Sequence, residues 1–164
     1  ITMRNSIYEI AHSPIPMERR ARAGNMPDWF YEQVCDYAVN PGPLEREASI
    51  RELSGLLGYP CKANEADKLI LPPQIKLSFF RQRFACFKTA AAALAQTDYA
   101  AFAGLAPSAS LSSTLARLSR SYENRRGIYI YSTETGALVT LDYWLRNADF
   151  SHPFYIGGTI DYYC

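Results

Sequence analysis

The sequence has no apolar run that approaches the roughly 18–20 residues a membrane-crossing helix needs. Its longest, Ala90 to Ala95, is alanine-rich and sits inside a helical pattern. The opening Ile1-Thr2-Met3-Arg4 leads into polar residues instead of an apolar h-region, so no secretory leader is expected. The four cysteines, Cys35, Cys61, Cys86 and Cys164, are scattered and form no CxxC pair. They read as free, buried thiols of a reducing cytoplasm, with Cys86 beside Phe84 and Phe87 on an apolar helix face.

Motifs that carry chemistry are equally scarce. HExxH, the glycine-rich phosphate loop, GxSxG and GxGxxG are all missing, which removes the sequence basis for zinc proteases, P-loop enzymes, α/β-hydrolases and dinucleotide enzymes. There are two histidines, His12 and His152, each near a proline, and neither has a second ligand at helical or turn spacing. No metal and no cofactor is expected. A Cys–His nucleophile is not expected either, because Cys35 sits inside a helical pattern and not at a helix start, where the dipole would lower its pKa. Nucleic-acid signatures such as a ribonucleoprotein strand, helix-turn-helix or zinc finger are likewise lacking, and no internal repeat appears.

What the chain does have is the composition of a folded globule. Its 164 residues are 48% hydrophobic and 20% charged, close to ordinary globular shares, and suffice for one domain over 1–164. Twelve tyrosines and eight phenylalanines imply a core or surface built on large rings. The near-neutral total of +1 conceals an uneven layout. Between Pro72 and Arg126 eight basic residues (Lys76, Arg81, Arg83, Lys88, Arg117, Arg120, Arg125, Arg126) face two acids (Asp98, Glu123), a net +6, while both flanks are acidic.

The hydrophobic period places these residues on elements. Ser6 to His12 reads as a strand, broken at Ser13-Pro14-Ile15-Pro16. Asn25 reads as an N-cap for a helix running to about Val39. A second helix spans Leu44 to Leu57, with Gly58 as its C-cap. The third, about Gln74 to Gln96, carries the stripe Phe80, Phe84, Phe87, Ala91 and Leu94 and a second one through Ile75, Phe79 and Cys86. Being apolar over more than half its circumference, it is expected to be the central helix. Asp98 caps a short segment closed by Gly104, and a fourth long helix follows with Leu111, Leu115, Leu118 and Tyr122 in line. Ile128–Tyr131 and Ala137–Thr140 form a hairpin, Thr140 can cap a short helix over 141–147, and Phe154 to Tyr163 is a last strand containing Gly157-Gly158. The expected architecture is α+β: four main helices and a small, mostly antiparallel sheet of three or four strands, built from the N-terminal strand, the hairpin and the last strand.

Three functional readings follow. The leading one is a non-catalytic module acting by protein–protein contact or self-association through an aromatic sheet, with Tyr129, Tyr131, Tyr155 and Tyr163 as interface residues. The second is a polyanion or nucleic-acid binder that uses Arg81, Lys88, Arg117, Arg120, Arg125 and Arg126. The third is an enzyme pocket around His12, His152 and Arg83. Arg83 and Lys76, one heptad apart inside an apolar arc, must snorkel, face a cavity or hold a buried acid.

Overall fold

The computed structural model describes residues 3–59, 67–105 and 109–164, so Cys61, one of the expected buried thiols, lies outside the described residues. The chain divides into two compact units. One joins Ile1–Ile75 to Arg125–Cys164, and the other is Lys76–Asn124.

The first unit is organised on a six-stranded sheet of order β2-β6-β1-β4-β5, with β3 pairing to β6. Its strands are β1 (Arg4–Ala11), β2 (Tyr37–Val39), β3 (Lys68–Leu69), β4 (Tyr129–Ser132), β5 (Ala137–Thr140) and β6 (Phe154–Tyr163). The sheet is therefore larger than expected, and it is mixed: β1 lies parallel to β4, with Ile7 opposite Tyr129, while the other pairings are antiparallel. A parallel neighbour needs a long crossover, and this one takes in everything between β1 and β4.

Side chains alternate across the sheet. On one face Ile7, Tyr129, Ile160 and Tyr162 pack against Met26, Phe30 and Cys35, and Phe30 makes edge-to-face contacts of 5.1 Å with both Tyr129 and Tyr162. This layer comes from two 3-10 turns (Met17–Arg19 and Ala23–Asn25) and the short helix α1 (Asp28–Gln33). The opposite face carries Tyr8, whose hydroxyl donates to the Ser49 carbonyl at 2.6 Å, so α2 (Pro43–Leu57) covers it. Helix α6 (Leu141–Asn147) contacts β4 and β5. As the sequence suggests, Gly58 ends α2 in the left-handed conformation at φ +73°, and Thr140 closes β5 while its hydroxyl accepts from the Tyr143 amide at 3.1 Å.

The first helix is shorter than its pattern implies. Asn25 does not cap it; its side chain accepts from the Arg22 amide at 2.8 Å within a 3-10 turn, and α1 begins after Pro27. The chain then leaves the helix at Val34, and Tyr37 to Val39 joins the sheet edge. Tyr37 stacks on Tyr163 there, with ring centroids 4.7 Å apart, a pairing that a helix over 25–39 could not make.

A buried node fixes the centre of this unit. Glu9, 1% exposed, sits where the β1 register shifts. Its carboxylate accepts from the amides of Ala21 (2.9 Å) and Gly158 (3.0 Å) and from the Thr133 hydroxyl (2.8 Å). The glycine pair in β6 is what lets these segments meet. A Cβ on Gly157 would lie 2.0 Å from a Glu9 oxygen, and one on Gly158 would lie 2.3 Å from the Ala21 carbonyl oxygen. On the α2 side Arg46 donates to the Gly157 carbonyl at 2.7 Å and to Asp67 at 2.6 Å, tying α2 to β6.

The second unit is helical: α3 (Ile75–Ala95, of which Ile75 belongs to the first unit), α4 (Tyr99–Phe102) and α5 (Ala109–Tyr122). Asp98 caps α4, accepting from the Ala101 amide at 2.8 Å, as its position implied. The expectation that α3 is a buried central helix does not hold. Of its described residues Ile75 and Ala90 are buried, and Leu77, Phe84 and Cys86 are exposed. A helix paired with one long neighbour can bury only one side, and two stripes some 120° apart cannot both be served.

Candidate interaction surfaces and the cleft beside His12

Two surfaces and one cleft emerge. On α3, Leu77 is 74% exposed and Phe84 62% exposed. At about 100° per residue these two share a line, and Arg81 and Lys88 stand within about 60° of it. The exposed strip is thus apolar and cationic together. On α5, Leu115 and Tyr122 are exposed along one line, and Arg117 and Arg120 are exposed on a different side. Six basic residues in Lys76–Asn124 (Lys76, Arg81, Arg83, Lys88, Arg117, Arg120) against Asp98 and Glu123 give this unit +4. With +1 for the whole chain, the first unit carries −3.

Arg83 is half-buried inside the helical unit. Its guanidinium donates to the Arg120 carbonyl at 3.2 Å and lies 5.5 Å from the centre of the Phe80 ring. Arg120 is in the last turn of α5, where carbonyls lack helical partners and the dipole is negative, so the cation serves a helix end. Lys76 begins the same unit, also half-buried.

The second surface is the β2 edge of the sheet. Tyr37 is 51% exposed, and Tyr31 and Val39 are exposed beside it in sequence. Glu32 and Asp36, interleaved with them, are exposed as well. This edge is aromatic and acidic. Its strand is outermost, with backbone groups on one side that no strand among the described residues pairs. Tyr163 is half-exposed behind Tyr37, and Tyr155 is half-exposed on β6. Tyr129 and Tyr131, grouped with them in the sequence reading, are core residues.

The cleft, of about 280 Å³, opens on the α2 side of the sheet, between the β4–β5 hairpin and α6. Its floor is apolar, from Ile10, Ile130 and Val139. A chain of rings forms one wall: His12 to Phe154 at 5.2 Å and Phe154 to Trp144 at 5.2 Å, with Tyr143 also lining the space. Glu134 stands on the hairpin turn. It accepts from the His12 amide at 3.2 Å and meets the His12 ring Nδ1 at 2.9 Å, contacts that hold its carboxyl below the usual carboxylate range. Asp149 lines the space too, and one of its oxygens accepts from the Ser151 amide at 2.9 Å.

The antiparallel pairing of β1 with β6 brings both histidines to one end of the sheet, since His12 follows β1 and His152 precedes β6. Only His12 lines the cleft; His152 is exposed and outside its lining. The six expected polyanion contacts divide: Arg81, Lys88, Arg117 and Arg120 are exposed in the helical unit, while Arg125 and Arg126 are exposed in the first. There the Arg125 carbonyl accepts from the Tyr129 hydroxyl at 2.7 Å, and the Arg126 carbonyl accepts from the Asn5 side chain at 2.7 Å.

Sequence reasoning did not single out Leu77, Tyr31 and Tyr37 as surface residues, nor Glu134, Tyr143, Trp144 and Asp149 as cleft residues. A helical-wheel projection would have misplaced Leu77, because it lies three residues before Phe80 and continues the first apolar stripe of α3. The cleft residues depend on how β1, the hairpin and α6 meet, for which single segments carry no signal. Among the described residues no helix is long and apolar enough to cross a membrane, and no cluster of three or more His, Cys, Asp or Glu side chains is arranged to hold a metal. Comparison with protein families, with curated proteins and with solved structures found no match.

Proposed function

We propose that the chain is a non-catalytic interaction module that self-associates, the cationic apolar strip of the helical unit of one molecule engaging the acidic aromatic β2 edge of another. The observation that carries this reading is the pairing of exposed rings and aliphatics with charge of opposite sign on separate surfaces. Phe84 and Leu77 stand with Arg81 and Lys88, and Tyr37 and Tyr31 stand with Glu32 and Asp36. Apolar residues supply burial and the charges supply register and rate. Two helical units meeting each other would set +4 against +4, which disfavours that alternative.

Sedimentation equilibrium at micromolar protein tests the proposal. At about 0.1 M salt the mass exceeds that of the monomer, and at about 1 M, where the screening length falls to about 3 Å, it declines toward it. Arg81→Glu with Lys88→Glu returns the chain to monomer, and adding Glu32→Lys with Asp36→Lys restores the association. A strictly monomeric wild type at low salt, or a charge swap that restores nothing, sinks the reading.

A second reading, polyanion binding, rests on the exposure of Arg81, Lys88, Arg117 and Arg120. It requires retention on heparin that falls steeply with salt and weakens in Arg117→Ala with Arg120→Ala. Retention indifferent to that double substitution removes it.

A further inference from the structure

Two thiols far apart in the chain, Cys35 and Cys164, meet at the β2 edge of the sheet. The pairing of Tyr37 with Tyr163 brings the segment just before β2 alongside the end of β6. The Asp36 amide donates to the Tyr163 carbonyl at 2.8 Å, so each cysteine stands one residue from that bond. Paired strands run about 5 Å apart, inside the roughly 4.4–6.8 Å between Cα atoms that a disulfide bridges. The two cysteines also share a face. Side chains alternate along a strand, so Cys164 follows Ile160 and Tyr162, and it packs against the core cluster that contains both of them and Cys35. Both thiols are free, and they differ in access: Cys35 is 3% exposed, whereas Cys164 is half-buried. Burial pushes the Cys35 thiol up, and the Cys164 sulfur adds to this, while the amide of Tyr163, the residue before Cys164, donates to the Cys35 sulfur. Cys35 is thus shielded and kept protonated, inert toward reagents in solvent but within reach of its neighbour.

From this we propose that Cys35 and Cys164 are a disulfide-forming pair, oxidised by hydrogen peroxide, that clasps the segment between α1 and β2 to the end of β6. The accessible sulfur reacts first. The Cys164 thiolate attacks one peroxide oxygen, the O–O bond breaks, and the departing hydroxide takes up the proton the thiol has given, leaving a sulfenic acid and water. The Cys35 sulfur then attacks the Cys164 sulfur, the S–O bond breaks, and hydroxide leaves with the Cys35 proton as a second water. Two thiols are oxidised to one disulfide, and one peroxide is reduced to two waters. The bond closes a loop over most of the chain, and cross-links of long loops constrain the unfolded ensemble most.

The full chain carrying Cys61→Ser and Cys86→Ser, in which the pair are the only thiols, tests this. A small excess of hydrogen peroxide, quenched with catalase, should remove both thiols from titration in denaturant and lower the mass by two hydrogens. A non-reducing peptide map should join Cys35 to Cys164 within one molecule. The melting temperature should rise by several degrees and return on adding dithiothreitol. With Cys35→Ser in addition, Cys164 stops at a sulfenic acid that dimedone traps; with Cys164→Ser instead, Cys35 keeps its thiol. The wild-type chain, mapped alike, should give the same link, so the result does not hang on the folding of the variants. Survival of both thiols, a cross-link only between molecules, or a link of either cysteine to Cys61 or Cys86 in its place overturns the proposal. None of these readouts depends on the state of association, which is read separately by mass.

Discussion

Glu9 shows how one residue can set a whole arrangement. A carboxylate with 1% exposure is costly to bury unless its acceptors are satisfied, and here three donors from three separate segments, Ala21, Gly158 and Thr133, converge on it. Glu9→Gln keeps the shape but turns an amide toward backbone N–H groups, setting donor against donor. The expected loss is about 1–3 kcal/mol in urea melts. Gly158→Ala acts on the same node by volume: its Cβ would meet the Ala21 carbonyl oxygen at 2.3 Å, and backbone cannot swing aside as a side-chain end can. A cost of about 1–3 kcal/mol is expected, with Gly24→Ala, where nothing lies within 4 Å, as the benign control.

The buried phenols make a related prediction for alkaline pH. Burial pushes Tyr8 and Tyr162 well above the ordinary value of 10.0, and their hydroxyls donate to the carbonyls of Ser49 and Gly127. Folding therefore holds both neutral. Their contribution is fully present below the unfolded value and declines as pH rises past it, by up to about 1.4 kcal/mol per pH unit for each phenol. Denaturant melts through about pH 9 to 11 should show stability falling, more shallowly in Tyr8→Phe, while absorbance titration at low denaturant leaves Tyr8 and Tyr162 un-ionised until unfolding. A full phenol titration with no loss of stability would refute this.

At the scale of elements, α2 offers two glycines with opposite roles. Gly55 is exposed inside the helix with open space around it, so Gly55→Ala should stabilise by about 0.5–1 kcal/mol through lost chain entropy alone. Gly58 ends the helix at φ +73°, so Gly58→Ala should destabilise by about 1 kcal/mol despite equal open space. Thermal melts of the pair separate backbone conformation from packing.

Elements of this kind were legible in the chain. Gly58, Asp98 and Thr140 each mark a helix end by chemistry local to a few residues, and the hairpin and last strand follow from alternation. What was hidden depends on distant partners. Tyr37 to Val39 continues a helical pattern, yet pairing with Tyr163 draws it into the sheet. The parallel match of β1 with β4 joins segments some 120 residues apart, which no window could anticipate. The apolar stripes of α3 say that the helix wants burial but not that its unit offers only one side. The His12 cleft had half a signal, because strand pairing predicted where the two histidines would gather, whereas Glu134 and Asp149 sit in turns where acids are ordinary.

For the whole molecule, no strand among the described residues comes from Lys76–Asn124. The core cluster around Phe30, Tyr129 and Tyr162 and the Glu9 node are also complete without it. This segment is inserted between two stretches that together make the sheet unit. A variant in which it is replaced by a flexible Gly/Ser linker should accordingly keep the β-rich circular dichroism, the cooperative melt and the protected tyrosines of the parent. It should also lose the helical signal of α3 and α5 and, with Arg81, Lys88 and Phe84 gone, the salt-sensitive association. Its charge balance would shift as well: the parent, at +1 overall, joins units of −3 and +4, whereas the variant keeps only the acidic one and should bind an anion exchanger more tightly. If the variant instead unfolds, although none of its strands has been touched, the sheet depends on the helical segment for stability, and the division of labour between a self-sufficient sheet unit and an associating insertion would be wrong.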